Sequence, residues 1–316
     1  MRALVTGGAG FIGSHLVDWL VREGWDVVVV DRLDRGKKNI QHHLDTGAVE
    51  LHVFDIGDLE RLRSLMEGVD TVFHMAANAD IRGGVKNTRV DLEENVIKTW
   101  NVLEAMRLQD VGEIVFASSA ALYGDAAVIP TPEDYFPIQT SFYGASKLAG
   151  EGYIEAFSEA FGIKAWMYRF VSVVGERHPH GVTYDFVHKL RRNPRRLEIL
   201  GNGKQKKSFL YVGDCVGGIM HGYRYGKDRV NIFNLGNEEY TTVDRVAEIV
   251  VEEMGLKDVE FVYTGGDRGW VGDAPMVFLS IEKMKKLGWK PEVGVEEAIR
   301  KTARWLIDNP GWYENP

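Results

Sequence analysis

The 316-residue chain predicts an α/β fold, a doubly wound parallel sheet followed by a smaller mixed α/β C-terminal lobe. Three observations predict it. Short apolar runs alternate with longer helical patterns through the first half, as in strand–helix–strand units. The run VVVV at 27–30 lacks polar alternation, as expected of a strand covered on both faces. A glycine-rich turn, TGGAGFIG (Thr6–Gly13), joins the first apolar run to an amphipathic pattern.

The expected strands are Ala3–Thr6, Val27–Asp31, Glu50–Phe54, Thr71–Met75, Glu113–Ser118 and Lys164–Phe170, all rich in apolar, β-branched or aromatic residues. Helical spacing places helices at Ile12–Glu23, Leu92–Leu108 and Tyr143–Phe161. After Gly175 the elements shorten, with a strand at Asn231–Leu235 and helices at Val243–Met254 and Val295–Asp308. Residues 1–170 are therefore expected to form a cofactor-binding domain, with a return contribution from about 211–236, and residues 171–316 a substrate lobe. The final NPGWYENP reads as a loose tail.

The net charge of -8 excludes nucleic acid as the main partner. Its one basic stretch, Lys189–Lys207, is either a solvated face or the wall of an anion pocket. Cys215 is the only cysteine, which excludes an intrachain disulfide and fits a reducing compartment. No apolar run approaches the roughly 20 residues that span a bilayer, and Met1 leads straight into a strand. A cytoplasmic protein is expected, with neither membrane nor nucleic acid as partner.

Gly7, Gly10 and Gly13 permit a tight turn and close approach of a pyrophosphate, which then meets the backbone of Phe11, Ile12 and Gly13 at a helix N-terminus. Asp31, 18 residues beyond Gly13, suits the ribose hydroxyls of an adenosine and repels an added phosphate, so NAD is expected over NADP. Arg32, Arg35, Lys37 and Lys38 would soften that repulsion. Asp55 and Ile56 are candidates to bracket the adenine, and Ala76 and Ala77 leave room for the middle of the cofactor. Tyr143 and Lys147 lie four residues apart in YGASK, one helical turn from each other. An ammonium beside a phenol lowers its pKa and makes it a base. The pairs His42–His43 and His178–His180 lack the further ligands of a metal site, and no metal is expected.

With TGGAGFIGSHL, DIGD, HMAA, Asn95 before NVLEA, SSAALYG and YGASK, the chain resembles the extended short-chain dehydrogenase/reductases, and among them nucleotide-sugar epimerases of the UDP-glucose 4-epimerase type. The resemblance implies a Rossmann domain holding NAD, tightly bound and recycled each turnover, and a C-terminal lobe holding a nucleotide sugar. It implies that Ser119 bonds the reacting sugar oxygen, that Tyr143 is the base, and that Lys147 holds the nicotinamide ribose. Asn95 matches an asparagine on the helix lining the site and is counted with the cofactor residues.

Dehydratases of this branch carry Asp and Glu directly after the catalytic hydroxyl, and related decarboxylases commonly keep a Glu. Ala120 and Ala121 stand there and transfer no proton, which favours epimerisation at carbon 4 through a transient 4-keto sugar. For the substrate the resemblance points to Ser172, Lys207, Arg268, Asp273 and Val277, beside Ser119 and Tyr143. Ser172 replaces an asparagine, Glu176 a proline, and Lys207 an arginine of the family pattern. Val277 would leave space for an acetamido group, so N-acetylhexosamine forms are expected beside UDP-glucose and UDP-galactose.

Other readings are a UDP-uronic acid 4-epimerase, an ADP-heptose 6-epimerase, a net dehydrogenase and a non-catalytic NAD-binding sensor. Ser119, Tyr143 and Lys147 together argue against a sensor. Ala145, Ala149, Gly152 and Ala156 form a small-residue stripe on the Tyr143 helix. Relatives commonly dimerise through this helix and Leu92–Leu108, and a homodimer is expected.

Overall fold

The computed structural model describes residues 1–270 and 272–312. Its main sheet has seven parallel strands. Six are β1 (Arg2–Thr6), β2 (Asp26–Asp31), β3 (Val49–Val53), β4 (Thr71–His74), β5 (Glu113–Ser119) and β6 (Lys164–Phe170). The strand Val230–Leu235 is the seventh, and the spatial order is Val230–Leu235, β6, β5, β4, β1, β2, β3. The chain winds outward from β1 in both directions, so a crevice opens where β1 and β4 end. Val27 to Val30 are all buried. Their unbroken run is the consequence of cover on both faces.

The first helices are α1 (Phe11–Arg22), α2 (Gln41–Thr46), α3 (Leu59–Ser64), α4 (Lys98–Leu108) and α5 (Phe142–Phe161). The expected helix Leu92–Leu108 begins with a π-helical segment, Leu92–Ile97, before continuing as α4. Residue spacing does not distinguish such a wide turn from an α-turn. In the second lobe, helices Val182–Arg192, Val243–Glu253 and Val295–Asp308 close over one apolar cluster that includes Phe186, Leu190, Ile249 and Ile299.

The basic stretch does not form one pocket wall. Lys189 pairs with Glu198 at 3.1 Å, and Arg191 donates to the carbonyls of Leu306 and Ile307 near a helix C-terminus. Trp312 is held rather than loose, its Nε1 donating to Asn39 Oδ1 at 2.8 Å. The rest of the expected tail, 313–316, lies outside the described residues. Among those described, no helix is long and apolar enough to cross a membrane.

Candidate active site

The turn after β1 delivers backbone donors to the crevice. Gly10 N–H donates to Gly7 O at 3.1 Å, and Ser14 N–H to Gly10 O at 3.0 Å. Helix α1 starts without a side-chain cap, so among the described residues Phe11, Ile12 and Gly13 carry the unpaired first-turn donors. Those three residues line a cleft of about 280 Å³, together with Gly7, Gly10, Asp31, Asp55, Ile56, Ala76 and Ala77. Gly7 has φ +69°, and a Cβ there would lie 2.8 Å from the Ala76 backbone. The two strand ends thus approach closely, and a donor-rich helix start faces the space between them, a fit for a dinucleotide pyrophosphate.

Asp31 accepts from Ala9 N–H at 3.0 Å and Leu33 N–H at 2.8 Å. Burial pushes its carboxyl up, those two bonds opposing. The adjacent Arg32 is taken up by carboxylates rather than left for an added phosphate. Arg32 is spent on Asp34 at 2.7 Å, Asp55 at 3.1 Å and Glu94 at 3.0 Å. Lys98 bonds Asp55 at 2.7 Å and Glu94 at 2.6 Å. Asp34, Glu94 and Lys98 also line the cleft. Sequence reasoning missed Glu94 and Lys98 because their i,i+4 spacing reads as an ordinary surface pair.

Behind Ala76, His74 is buried in a polar chain. Thr99 Oγ1 donates to Asn95 O at 2.6 Å, so it accepts from His74 Nε2 at 3.0 Å. His74 Nδ1 then accepts from Thr6 Oγ1 at 2.7 Å, which assigns the neutral Nε2–H tautomer. Burial and the Lys147 charge lower its pKa to about 3.

Ser119, Tyr143 and Lys147 do not line that cleft. They come together beyond it, where the end of β5 meets the start of α5. Ser119 Oγ accepts from Ala121 N–H at 3.1 Å and stands close enough to the Tyr143 phenol to favour its ionised form. Tyr143 is partly exposed as a residue, but its hydroxyl end is enclosed. Burial pushes the phenol up to about 12, with Ser119 opposing and the Asp91 charge adding. The expected depression by Lys147 is therefore not found in this structure. Lys147 Nζ turns away to donate to Ala117 O at 2.8 Å and lies 5.8 Å from the Tyr143 ring centre. Burial lowers its own pKa to about 8, against the charges of Glu151 and Asp91.

Asn95 is held by side-chain and backbone partners behind the site. Its Oδ1 accepts from Asn78 N–H at 2.8 Å, while Nδ2 donates to Ser146 Oγ at 2.9 Å and Asp91 Oδ1 at 3.2 Å. The side chain is spent within the protein and is absent from the cleft wall. One turn past Lys147, the buried Glu151 is paired with Arg169 of β6 at 2.7 Å. Arg169 also donates to Tyr123 Oη at 2.8 Å, so this charge pair anchors α5 to the sheet.

In the second lobe, Met276–Val277 pairs with Lys206–Lys207, setting Val277 opposite Lys207. Lys207 Nζ lies 2.7 Å from Asp273 Oδ1, and Arg268 donates to Asp273 O at 3.0 Å. These four substrate candidates are one cluster. Arg268 also reaches Asp125 at 2.8 Å, just past the turn that follows Ser119. Ser172 is exposed on the strand Ser172–Val174, in register with Phe209, two residues past Lys207. Glu176 accepts from Tyr211 Oη at 2.9 Å, which gives the proline replacement a partner.

The segment after Ser172–Val174 straps the cofactor helix. Glu176 O bonds His15 Nε2 at 3.0 Å, Arg177 pairs with Asp18 at 2.9 Å, and Pro179 and His180 close one side of the cleft. His42 and His43 both reach Asp18 Oδ1, at 3.1 and 2.7 Å, and join α2 to the same clamp.

Comparison with known proteins places the fold in a family. The family model described as NAD dependent epimerase/dehydratase matches residues 3–236. The chain is 42% identical to a solved UDP-galactose 4-epimerase, with TM-score 0.88, covering 98% of this chain and 99% of that one. It is 32% identical to the Thermotoga maritima UDP-glucose 4-epimerase solved with UDP-glucose, with TM-score 0.88 and coverage of 98% and 99%. It is 25% identical to the Bacillus cereus UDP-glucuronic acid 4-epimerase solved with UDP-glucuronic acid and NAD, with TM-score 0.90 and coverage of 98% and 99%. Glycine turn, Asp31, Ser119, Tyr143 and Lys147 thus stand in a fold shared almost end to end with such enzymes, and the chain belongs to the NAD-dependent epimerase/dehydratase family of the extended short-chain dehydrogenase/reductases.

Proposed function

We propose that the protein is a UDP-hexose 4-epimerase acting on UDP-glucose and UDP-galactose and, through the space beside Val277, on their N-acetyl forms. One observation carries the reading. Ser119 and Tyr143 stand together at the site, while Ala120 and Ala121 supply no second proton carrier. Dehydration needs an acid and a base besides the tyrosine; reversible oxidation at one carbon needs a single base.

The glycine turn and Asp31 would hold NAD, which would supply reversible hydride transfer and a positively charged nicotinamide. Tyr143 takes the proton from the sugar 4-hydroxyl, and Ser119 donates to the same oxygen to orient it. The pocket alone keeps the phenol protonated, so Tyr143 becomes a base only where added positive charge offsets its burial. Lys207 and Arg268 are the groups for the diphosphate and Asp273 for the uridine ribose, and they exchange their present partners for the substrate. Incubation of the purified protein with UDP-glucose, UDP-galactose, their N-acetyl forms and UDP-glucuronate, without added NAD, tests the reading. Glucose–galactose interconversion is expected, along with N-acetyl turnover. Turnover of the uronate alone would replace the substrate assignment, and plain hexose turnover without the N-acetyl forms would remove the Val277 argument.

The same reading includes a homodimer. Gly152 and Ala156 of the small-residue stripe face outward, and Ile97, Trp100 and Leu108 are exposed along one side of the adjoining helix. These two faces are the proposed contact. Sedimentation is expected to give a dimer for the native chain and a monomer for Trp100→Glu. An unaltered dimer in the variant would move the interface elsewhere.

A further inference from the structure

A chain of buried polar groups ties α5 to the loop that follows β4. Asp91 precedes the π-helical segment and is 1% exposed. Its Oδ1 accepts from Asn78 Nδ2 at 2.9 Å and Asn95 Nδ2 at 3.2 Å, and its buried Oδ2 has no hydrogen-bond partner. Asn95 passes the link to Ser146 Oγ at 2.9 Å, and Ser146 donates to the carbonyl of Tyr143 at 2.8 Å. Both amide protons of Asn95 are committed, so the turn bearing Tyr143 is held to Asp91 at a fixed distance.

The charges differ in their compensation. Glu151 is neutralised by Arg169 through Nε and Nη2. Among the described residues, Asp91 is hydrogen-bonded by two neutral amides and burial pushes its carboxyl up; its charge acts on Lys147 after the larger effect of Glu151. That ammonium is 3% exposed, and its one hydrogen bond among the described residues goes to a carbonyl.

We propose that Asp91 is a positioning residue of the active site: through Asn95 and Ser146 it fixes the turn that carries Tyr143, and its charge keeps Lys147 protonated. The proposal rests on the reading of Tyr143 as the base. The groups facing this corner are Lys147, Glu151 and Tyr143 from α5, His74 from β4, and Asp80 from the loop after β4, with Arg169 of β6 behind Glu151. A fixed negative charge favours the protonated form of Tyr143 and Lys147 alike. Removing it lowers both titrations. Activity requires Tyr143 to lose a proton, which sets the acid limb, and Lys147 to keep one, which sets the alkaline limb.

Asp91→Asn keeps both accepted bonds and deletes the charge. In the NAD-loaded enzyme it is expected to move both limbs of the kcat profile to lower pH, by on the order of one unit. The Tyr143 ring-carbon NMR titration is expected to move in the same direction. Ser146→Ala cuts the chain but keeps the charge, so it is expected to lower kcat with both limbs unmoved. Unmoved limbs and an unmoved NMR titration in Asp91→Asn would overturn the electrostatic role, and full kcat in Ser146→Ala would overturn the positioning role. Tyr143→Phe serves as the control. If it is active, the base assignment fails; if it is inactive while Asp91→Asn behaves as native, Asp91 alone is misassigned.

Discussion

Tyr143→Phe is expected to lose about 10³-fold in turnover while keeping its fold and its NAD. The substitution removes one oxygen. The ring keeps its place at the start of α5, so the fold is expected to change by no more than about 1 kcal/mol. Activity falls for a different reason: Ala120 and Ala121 leave no other side chain beside Ser119 able to take the sugar proton. Lys147 is no substitute, because its Nζ is directed at Ala117 O and its role requires that it stay protonated. Interconversion rate, melting temperature and NAD released on denaturation together check the prediction. Near-native turnover would remove Tyr143 from the base role, and loss of NAD would reassign it to cofactor binding.

Gly13→Ala is expected to abolish stable NAD binding and to destabilise the fold by about 3 kcal/mol. A Cβ at Gly13 would sit 2.1 Å from Gly7 O, 2.9 Å from Gly7 C and 3.0 Å from Gly8 Cα. All three are backbone atoms of the turn, and none is the mobile end of a side chain. Relief requires α1 to move off β1, which withdraws the N–H groups of Phe11, Ile12 and Gly13 from the cleft. Gly10→Ala is the internal comparison: its nearest contact is 3.1 Å, so its melting temperature should stay close to native. Calorimetric titration with NAD and thermal melting separate the two variants. A Gly13→Ala protein that melts normally and binds NAD would contradict the close packing of turn and helix.

The strands were legible because their signals are local. VVVV at 27–30 needs no knowledge of its neighbours to read as covered on both faces, and each expected main-sheet strand falls within one residue of the observed one. The glycine turn was legible for a similar reason, as its spacing encodes its own geometry. Electrostatics were not. Spacing of four predicts that Lys147 lies near Tyr143, but not that its ammonium faces Ala117 O or that burial dominates the phenol. Arg32 looked like a cation available to a phosphate until Asp55 and Glu94 arrived from the loop after β3 and the π-helical segment. Asp91 had no signal at all in the sequence. Its importance arises from partners at 78, 95 and 146 that only the folded chain assembles.

The central claim is that one carbon of a UDP-hexose is oxidised and reduced again within a single binding event, with Tyr143 moving the proton. UDP-glucose carrying deuterium on carbon 4, incubated with the purified protein and no added NAD, tests this directly. The expected product is UDP-galactose that retains deuterium at carbon 4, with no accumulation of NADH. Loss of the label to solvent, or its appearance in released NADH, would contradict the account.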